Sequence, residues 1–153
     1  MKSMPILATA ALLGALALAP RAHAADACKV EISGNDAMQY DKQSLAVPAT
    51  CQEITVTLHH TGKLAKDVMG HDWALVSTPD LAAVANDGSG AGLAANYIKP
   101  GDKRVLAHTS IIGGGETTSV TFPASVLKAG GSYSYLCTFP GHSALMHGTF
   151  KIG

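Results

Sequence analysis

The sequence predicts an all-β domain, a sandwich or barrel of short antiparallel strands with one short helix set among them. Two observations predict it. Period-two alternation of apolar and polar residues recurs in short segments, and breaks rich in Gly or containing Pro separate those segments. Shorter apolar runs at Cys28–Ile32, Asp72–Val76 and Arg104–His108 fit strands of the same kind. Glu53 to His59 alternates strictly and sets Ile54, Val56 and Leu58 on one face. Thr117 to Phe122 sets Val120 and Phe122 on one face, with Thr and Ser between them. Tyr133 to Cys137 and Gly148 to Ile152 repeat the period. The breaks fall at Thr61-Gly62, Lys99 to Asp102, Gly113 to Gly115 and Gly130-Gly131. The helix is expected near 79–87. Thr78 resembles an N-cap, Pro79 the first helical position and Asp80 an acid in the first turn; Ala-rich residues follow, and Gly88 to Gly92 end the run.

Composition narrows the function. The chain has 153 residues, 47% of them hydrophobic and only 14% charged, with a formal net charge of zero. No basic stripe exists to neutralise phosphates, which argues against nucleic acid as a partner. Much of the apolar content sits at the front. Lys2 precedes the apolar run Ile6 to Leu18, Pro20 breaks it, and Ala22-His23-Ala24 offers a small-x-small cleavage site. Residues 1–24 therefore read as a signal peptide, with an apolar run too short to span a bilayer with ease. Residues 25–153 read as one exported domain, expected in the periplasm and free of the membrane after cleavage. Lys2 and Arg21 leave with the leader and no acid does, so nine basic and eleven acidic residues remain, a net charge of −2.

Three cysteines allow one disulfide and leave one thiol. An exported protein is expected to form the bridge. Cys28 and Cys51 flank the first two strands in no ligand-rich surroundings, so they are paired. Cys137 is then free, and its neighbourhood is distinctive: Cys137, His142 and Met146 fall within ten residues at the spacing Cys-x4-His-x3-Met. A thiolate, an imidazole and a thioether in one turning loop suit copper, and two His with one Cys and a long axial Met make a blue-copper electron-transfer site. The second histidine must come from elsewhere. His59, His60, His71, His108 and His147 are all available, and spacing alone leaves the choice open. His71 follows Gly70, whose lack of a side chain would let backbone approach a metal.

At this point a resemblance becomes specific. Gly34-Asn35-Asp36, Val68-Met69-Gly70-His71, Ala107-His108-Thr109 and above all Cys137 through Met146 resemble the azurins, blue copper proteins of the cupredoxin family. The likeness covers essentially the whole exported chain. It implies a Greek-key cupredoxin β-sandwich or barrel and a single type 1 copper. It implies the ligands His71, Cys137, His142 and Met146, with the Gly70 carbonyl as a weak contact. It also implies a Cys28–Cys51 disulfide and a helix in the 78–85 region.

The implied function is one-electron transfer by Cu(II)/Cu(I) cycling, not catalysis, because such a site leaves no open position for a substrate. The resemblance places an apolar docking patch at Leu64, Val68, Met69, Phe139, Ala144 and Leu145. Its partners would be redox proteins such as c-type cytochromes or copper and haem reductases and oxidases, met by a monomer. The alternative from a different class is an exported copper carrier or store using the same ligands. Two positions depart from the azurin pattern. Asp72 stands where Asn is usual; it could hydrogen-bond the Thr138 region and, if ionised, favour Cu(II). His147 stands where Lys is common and could bind metal at the surface. His60 and His108 match azurin histidines that do not bind copper, and Trp73 reads as a core residue.

Overall fold

The computed structural model describes residues 27–128 and 130–153; the leader expected at 1–24 lies outside the described residues. Nine strands run through those residues: β1 (Lys29–Asn35), β2 (Gln39–Tyr40), β3 (Ser44–Val47), β4 (Glu53–His60), β5 (Ala74–Ser77), β6 (Val105–His108), β7 (Thr117–Pro123), β8 (Tyr133–Leu136) and β9 (His147–Ile152). They form a four-stranded sheet in the order β2-β1-β4-β7 and a five-stranded sheet in the order β3-β9-β8-β5-β6.

Every strand expected from alternation is present. Two more, β2 and β3, were not expected. The antiparallel expectation also needs correction at two pairs. β1 lies parallel to β4, with Lys29 opposite Thr55, and β3 lies parallel to β9, with Ser44 opposite Thr149. Parallel neighbours cannot be joined by a tight turn, so the chain passes from β1 to β4 by a long connection that adds β2 to the same sheet and β3 to the other.

The expected helix is there, with a different start. A 3-10 turn at Thr78–Asp80 holds Pro79, and the α-helix proper, Leu81–Gly88, follows without a side-chain cap. A second and shorter helix, Lys66–Met69, was not expected; it has no buried residue and stands just before Gly70 and His71. Lys66–Met69 is α1 and Leu81–Gly88 is α2.

Burial follows the strand period. In β4 the inward series Ile54, Val56, Leu58 continues to His60, while His59 turns outward. The two sheets close over an aromatic cluster in which Trp73 lies 6.1 Å from Phe122, 6.0 Å from Tyr135 and 5.9 Å from Phe150, ring centre to ring centre. Such pairs contribute roughly 0.5–1.5 kcal/mol each beyond the area they bury. Trp73 is fully buried, and its Nε1 is the only buried side-chain nitrogen or oxygen without a partner among the described residues. The Cys28–Cys51 disulfide is formed and ties the start of β1 to the start of β4. Cys137 is left as the free, buried thiol at the end of β8.

Candidate metal centre

Two stretches of chain build the site at one end of the sandwich. The first is the segment between α1 and β5. His71 pairs with Ile112 through both backbone bonds, His71 N–H to Ile112 O at 3.0 Å and Ile112 N–H to His71 O at 2.9 Å. Gly70 precedes it, and a side chain there would run into the Lys66 carbonyl and the Ile111 methyl at 2.5 Å. Only glycine lets the backbone pass at this point.

The second stretch is the β8–β9 loop. Cys137 N–H donates to Met146 O at 2.9 Å and Met146 N–H to His142 O at 2.7 Å, so the loop folds back on its own start. Gly141 takes the left-handed conformation (φ 84°) that makes the turn, and a single 3-10 turn, His142–Ala144, follows. This is the fold-back that a Pro140-Gly141 pair inside the ligand spacing suggests.

The result is a cluster of three buried ligand atoms. Cys137 Sγ lies 3.9 Å from His71 Nδ1 and 3.6 Å from His142 Nδ1, and all three atoms fall within 4.8 Å of one another. Metal bonds of about 2.3 Å to sulfur and about 2.0 Å to nitrogen, spread at about 120°, separate S and N by about 3.7 Å. The cluster therefore fits a trigonal metal without rearrangement. The Gly70 carbonyl oxygen stands 3.8 Å from Sγ. Met146 is fully buried, and its methyl and the His71 ring both crowd Gly34, where a Cβ would sit 3.2 Å from Met146 Cε and 2.8 Å from His71 Cδ2.

Hydrogen bonds aim the ligands in advance. His71 Nε2 is 2.8 Å from the Asn35 carbonyl, which can only accept, so Nε2 carries the hydrogen and Nδ1 faces Sγ with its lone pair. Burial pushes the His71 pKa down, and burial with the nearby His71 and His60 charges takes His142 down to about 4. Both imidazoles are thus neutral donors at neutral pH. Burial, then the Asp72 charge, pushes the Cys137 thiol well up, while the backbone N–H groups of Asp72 and Phe139 favour the thiolate. A metal must displace that proton on binding, so binding releases it.

The other histidines do not join. His60 is buried and stacks on His71 with ring centres 4.2 Å apart, but Gly62 N–H donates to its Nδ1 at 3.0 Å and its Nε2 faces the Met69 carbonyl at 2.7 Å. Both nitrogens are engaged in the neutral ring, which makes it a strut for the ligand beside it. His59 pairs with Thr117 on the outer face, and His108 and His147 are exposed. Asp72 is fully buried: its Oδ1 accepts from Thr138 N–H at 2.7 Å and its Oδ2 lies 2.8 Å from Thr138 Oγ1. Burial raises its pKa to about 6 against the pull of those bonds. The Tyr40 hydroxyl donates to the Asp72 carbonyl.

Sequence reasoning missed the Asn35 carbonyl, the Asp72 N–H and the Thr138 hydroxyl bond to the Asn96 carbonyl at 2.6 Å. Most of these groups are backbone, which residue identity does not reveal. Around the centre, Leu64, Val68 and Leu145 are 41%, 59% and 63% exposed, Ala144 is exposed, and Met69 and Phe139 are half-buried. The Phe139 ring packs on His142 at 4.5 Å between centres.

Comparison with characterised proteins agrees with this geometry. Residues 26–153 match the model of the copper binding proteins of the plastocyanin/azurin family. Azurin-1 of Alcaligenes xylosoxydans xylosoxydans is 55% identical over 125 residues, covering 82% of this chain and 97% of that protein. Azurin of Achromobacter denitrificans is 49% identical over 147 residues, 96% of this chain and 99% of that one. The solved structure of an azurin (Az-iso2) from Methylomonas sp. strain J superimposes with a TM-score of 0.80 at 45% identity, covering 82% of this chain and 98% of that one. With a buried His-Cys-His cluster at trigonal spacing on a two-sheet sandwich, this chain belongs to the plastocyanin/azurin family of copper binding proteins.

Proposed function

We propose that the chain is a periplasmic one-electron carrier whose copper is held by His71, Cys137 and His142, with Met146 and the Gly70 carbonyl as weaker donors. Copper bound there supplies a single electron through its Cu(II)/Cu(I) couple. The protein's part is to keep the donors still. His71 is fixed by the Asn35 carbonyl and by the stacked His60 ring. Cys137 and Met146 are tied to each other through the backbone, and Met146 to His142. The single observation that carries the reading is this preformed cluster, drawn from two separate stretches of chain and oriented by bonds that need no metal. Donors that move little on electron transfer suit both oxidation states.

The electron leaves beside His142, through the apolar surface of Leu64, Val68, Met69, Phe139, Ala144 and Leu145. A modest apolar patch supports brief contacts with redox proteins such as c-type cytochromes or copper and haem reductases and oxidases. The monomer is the working unit. Residues 1–24 are the export signal, a reading supported by similarity that extends beyond residues 26–153 into the leader. N-terminal sequencing of the exported chain should begin at Ala25.

Electron self-exchange and copper exchange, measured on the same copper-loaded sample, test the function. A carrier of electrons exchanges electrons fast and retains its metal against a chelator. Slow self-exchange with ready copper release would instead identify a copper carrier or store.

A further inference from the structure

His147 is a histidine that the electron-carrier reading does not use. It follows Met146 directly, and the strand period sends the two side chains opposite ways: Met146 is fully buried and His147 is exposed. His147 lines a cleft of about 360 Å³ together with Asp41, Asn35, Gln39 and Gln43. Its Nδ1 is 2.8 Å from the Ser143 carbonyl. A carbonyl only accepts, so Nδ1 carries the hydrogen and Nε2 of the neutral ring keeps its lone pair. This is how metal-binding imidazoles are oriented, one nitrogen tied to a carbonyl and the other left for the ion.

Asp41 is held in a similar way. Its Oδ1 accepts from Ser33 N–H at 2.7 Å, which fixes the carboxylate. Among the described residues its Oδ2 has Lys42 Nζ at 3.6 Å as its one ionic partner, and that ammonium donates to the Glu31 carbonyl at 2.6 Å. Gln43 adds an amide to the same lining, and Gln39 a second, whose oxygen is 3.4 Å from Asn35 Nδ2. The donor set is imidazole nitrogen with carboxylate and amide oxygen and no sulfur, which suits a divalent transition ion such as Cu(II) or Zn(II).

We propose that this cleft is a second metal site, in which His147 Nε2 and Asp41 Oδ2 bind a divalent transition ion beside the buried centre. The other exposed histidines are set differently. His59 has Nδ1 against the Thr117 hydroxyl and Nε2 3.8 Å from Glu31 on the outer face of a sheet. His108 also has Nδ1 against a carbonyl, that of Thr109 at 2.9 Å, but both oxygens of the one carboxylate in its groove, Asp102, are taken by Arg104 at 2.8 and 2.5 Å, and Lys99 and Lys103 line the same groove.

The test adds a second equivalent of Cu(II) to protein already carrying one copper, and follows it by electron paramagnetic resonance. The two sites separate spectrally, because only the buried one has a thiolate. The expected result is a second, non-blue signal with imidazole nitrogen coupling. Its affinity falls at least tenfold in His147→Lys and several-fold in Asp41→Asn, and is unchanged in His59→Gln and His108→Gln. An unaltered blue band in each variant shows that the fold and the first site are intact. Binding that survives His147→Lys, or that follows His59 or His108, overturns the proposal, as does binding only at large excess, an adventitious ion only.

Discussion

Replacing Asp72 by Asn removes a buried charge while keeping its shape. The amide oxygen can accept from Thr138 N–H as Oδ1 does, and the amide nitrogen can donate to Thr138 Oγ1, which lies 2.6 Å from the Asn96 carbonyl. What changes is the titration. Burial raises the Asp72 pKa from 3.8 to about 6, so the folded chain holds a proton that the unfolded chain has lost. The sign follows: the contribution of Asp72 to stability is fully present below about pH 4 and is lost as pH rises through about 6. Two pKa units correspond to about 3 kcal/mol at pH 7, an upper bound for a group that can relax. Metal-free Asp72→Asn should therefore gain stability over the parent by up to about 3 kcal/mol at pH 7, and the gain should shrink towards pH 4. Urea unfolding of both proteins at several pH values measures it, and taking the difference cancels the shared contribution of His142. A difference independent of pH between 4 and 7 would contradict the buried-carboxylate reading. In the copper-loaded protein the same substitution should raise the reduction potential at pH 7, since an ionised carboxylate favours Cu(II).

Gly34→Ala places a Cβ 2.8 Å from His71 Cδ2 and 3.2 Å from Met146 Cε, so it should destabilise the fold by roughly 1–3 kcal/mol and weaken copper binding, read by melting and by metal titration. Replacing Cys28 and Cys51 together by Ser should cost about 3 kcal/mol in chemical unfolding, for a bridge with a sequence separation of 23, while the blue absorption is kept. Arg104 donates to Asp102 at 2.8 Å and to Asp87 at 2.7 Å, and holds the Asp102 pKa down to about 2. That contribution is present above about pH 4 and is lost as pH falls towards 2, so Arg104→Ala should move the acid-unfolding midpoint to higher pH.

The loop that carries Cys137, His142 and Met146 was legible because three donor side chains lie within one stretch built around a recognisable turn. His71 was not, because position at a strand end is shared with His59 and His60. What separates them is burial and bonding: His60 continues the inward series of β4, yet Gly62 and Met69 occupy both its nitrogens. Only the resemblance to the azurins selected His71. The strands with clean alternation were found, whereas β2 has two residues and β3 turns the apolar Ala46 outward, which blurs its period. The parallel pairings of β1 with β4 and β3 with β9 depend on contacts distant in sequence, so no local pattern announces them. Asp72 was marked as a departure, but its complete burial follows from the packing of Thr138, Asn96 and Tyr40 around it.

Titration of the metal-free exported chain with Cu(II), followed by visible absorption, addresses the buried centre itself. One equivalent should produce an intense blue thiolate-to-copper band and consume the Cys137 thiol, and Cys137→Ser should give no such band. A protein that stays colourless with its thiol still reactive would contradict the assignment of His71, Cys137 and His142 as a copper centre.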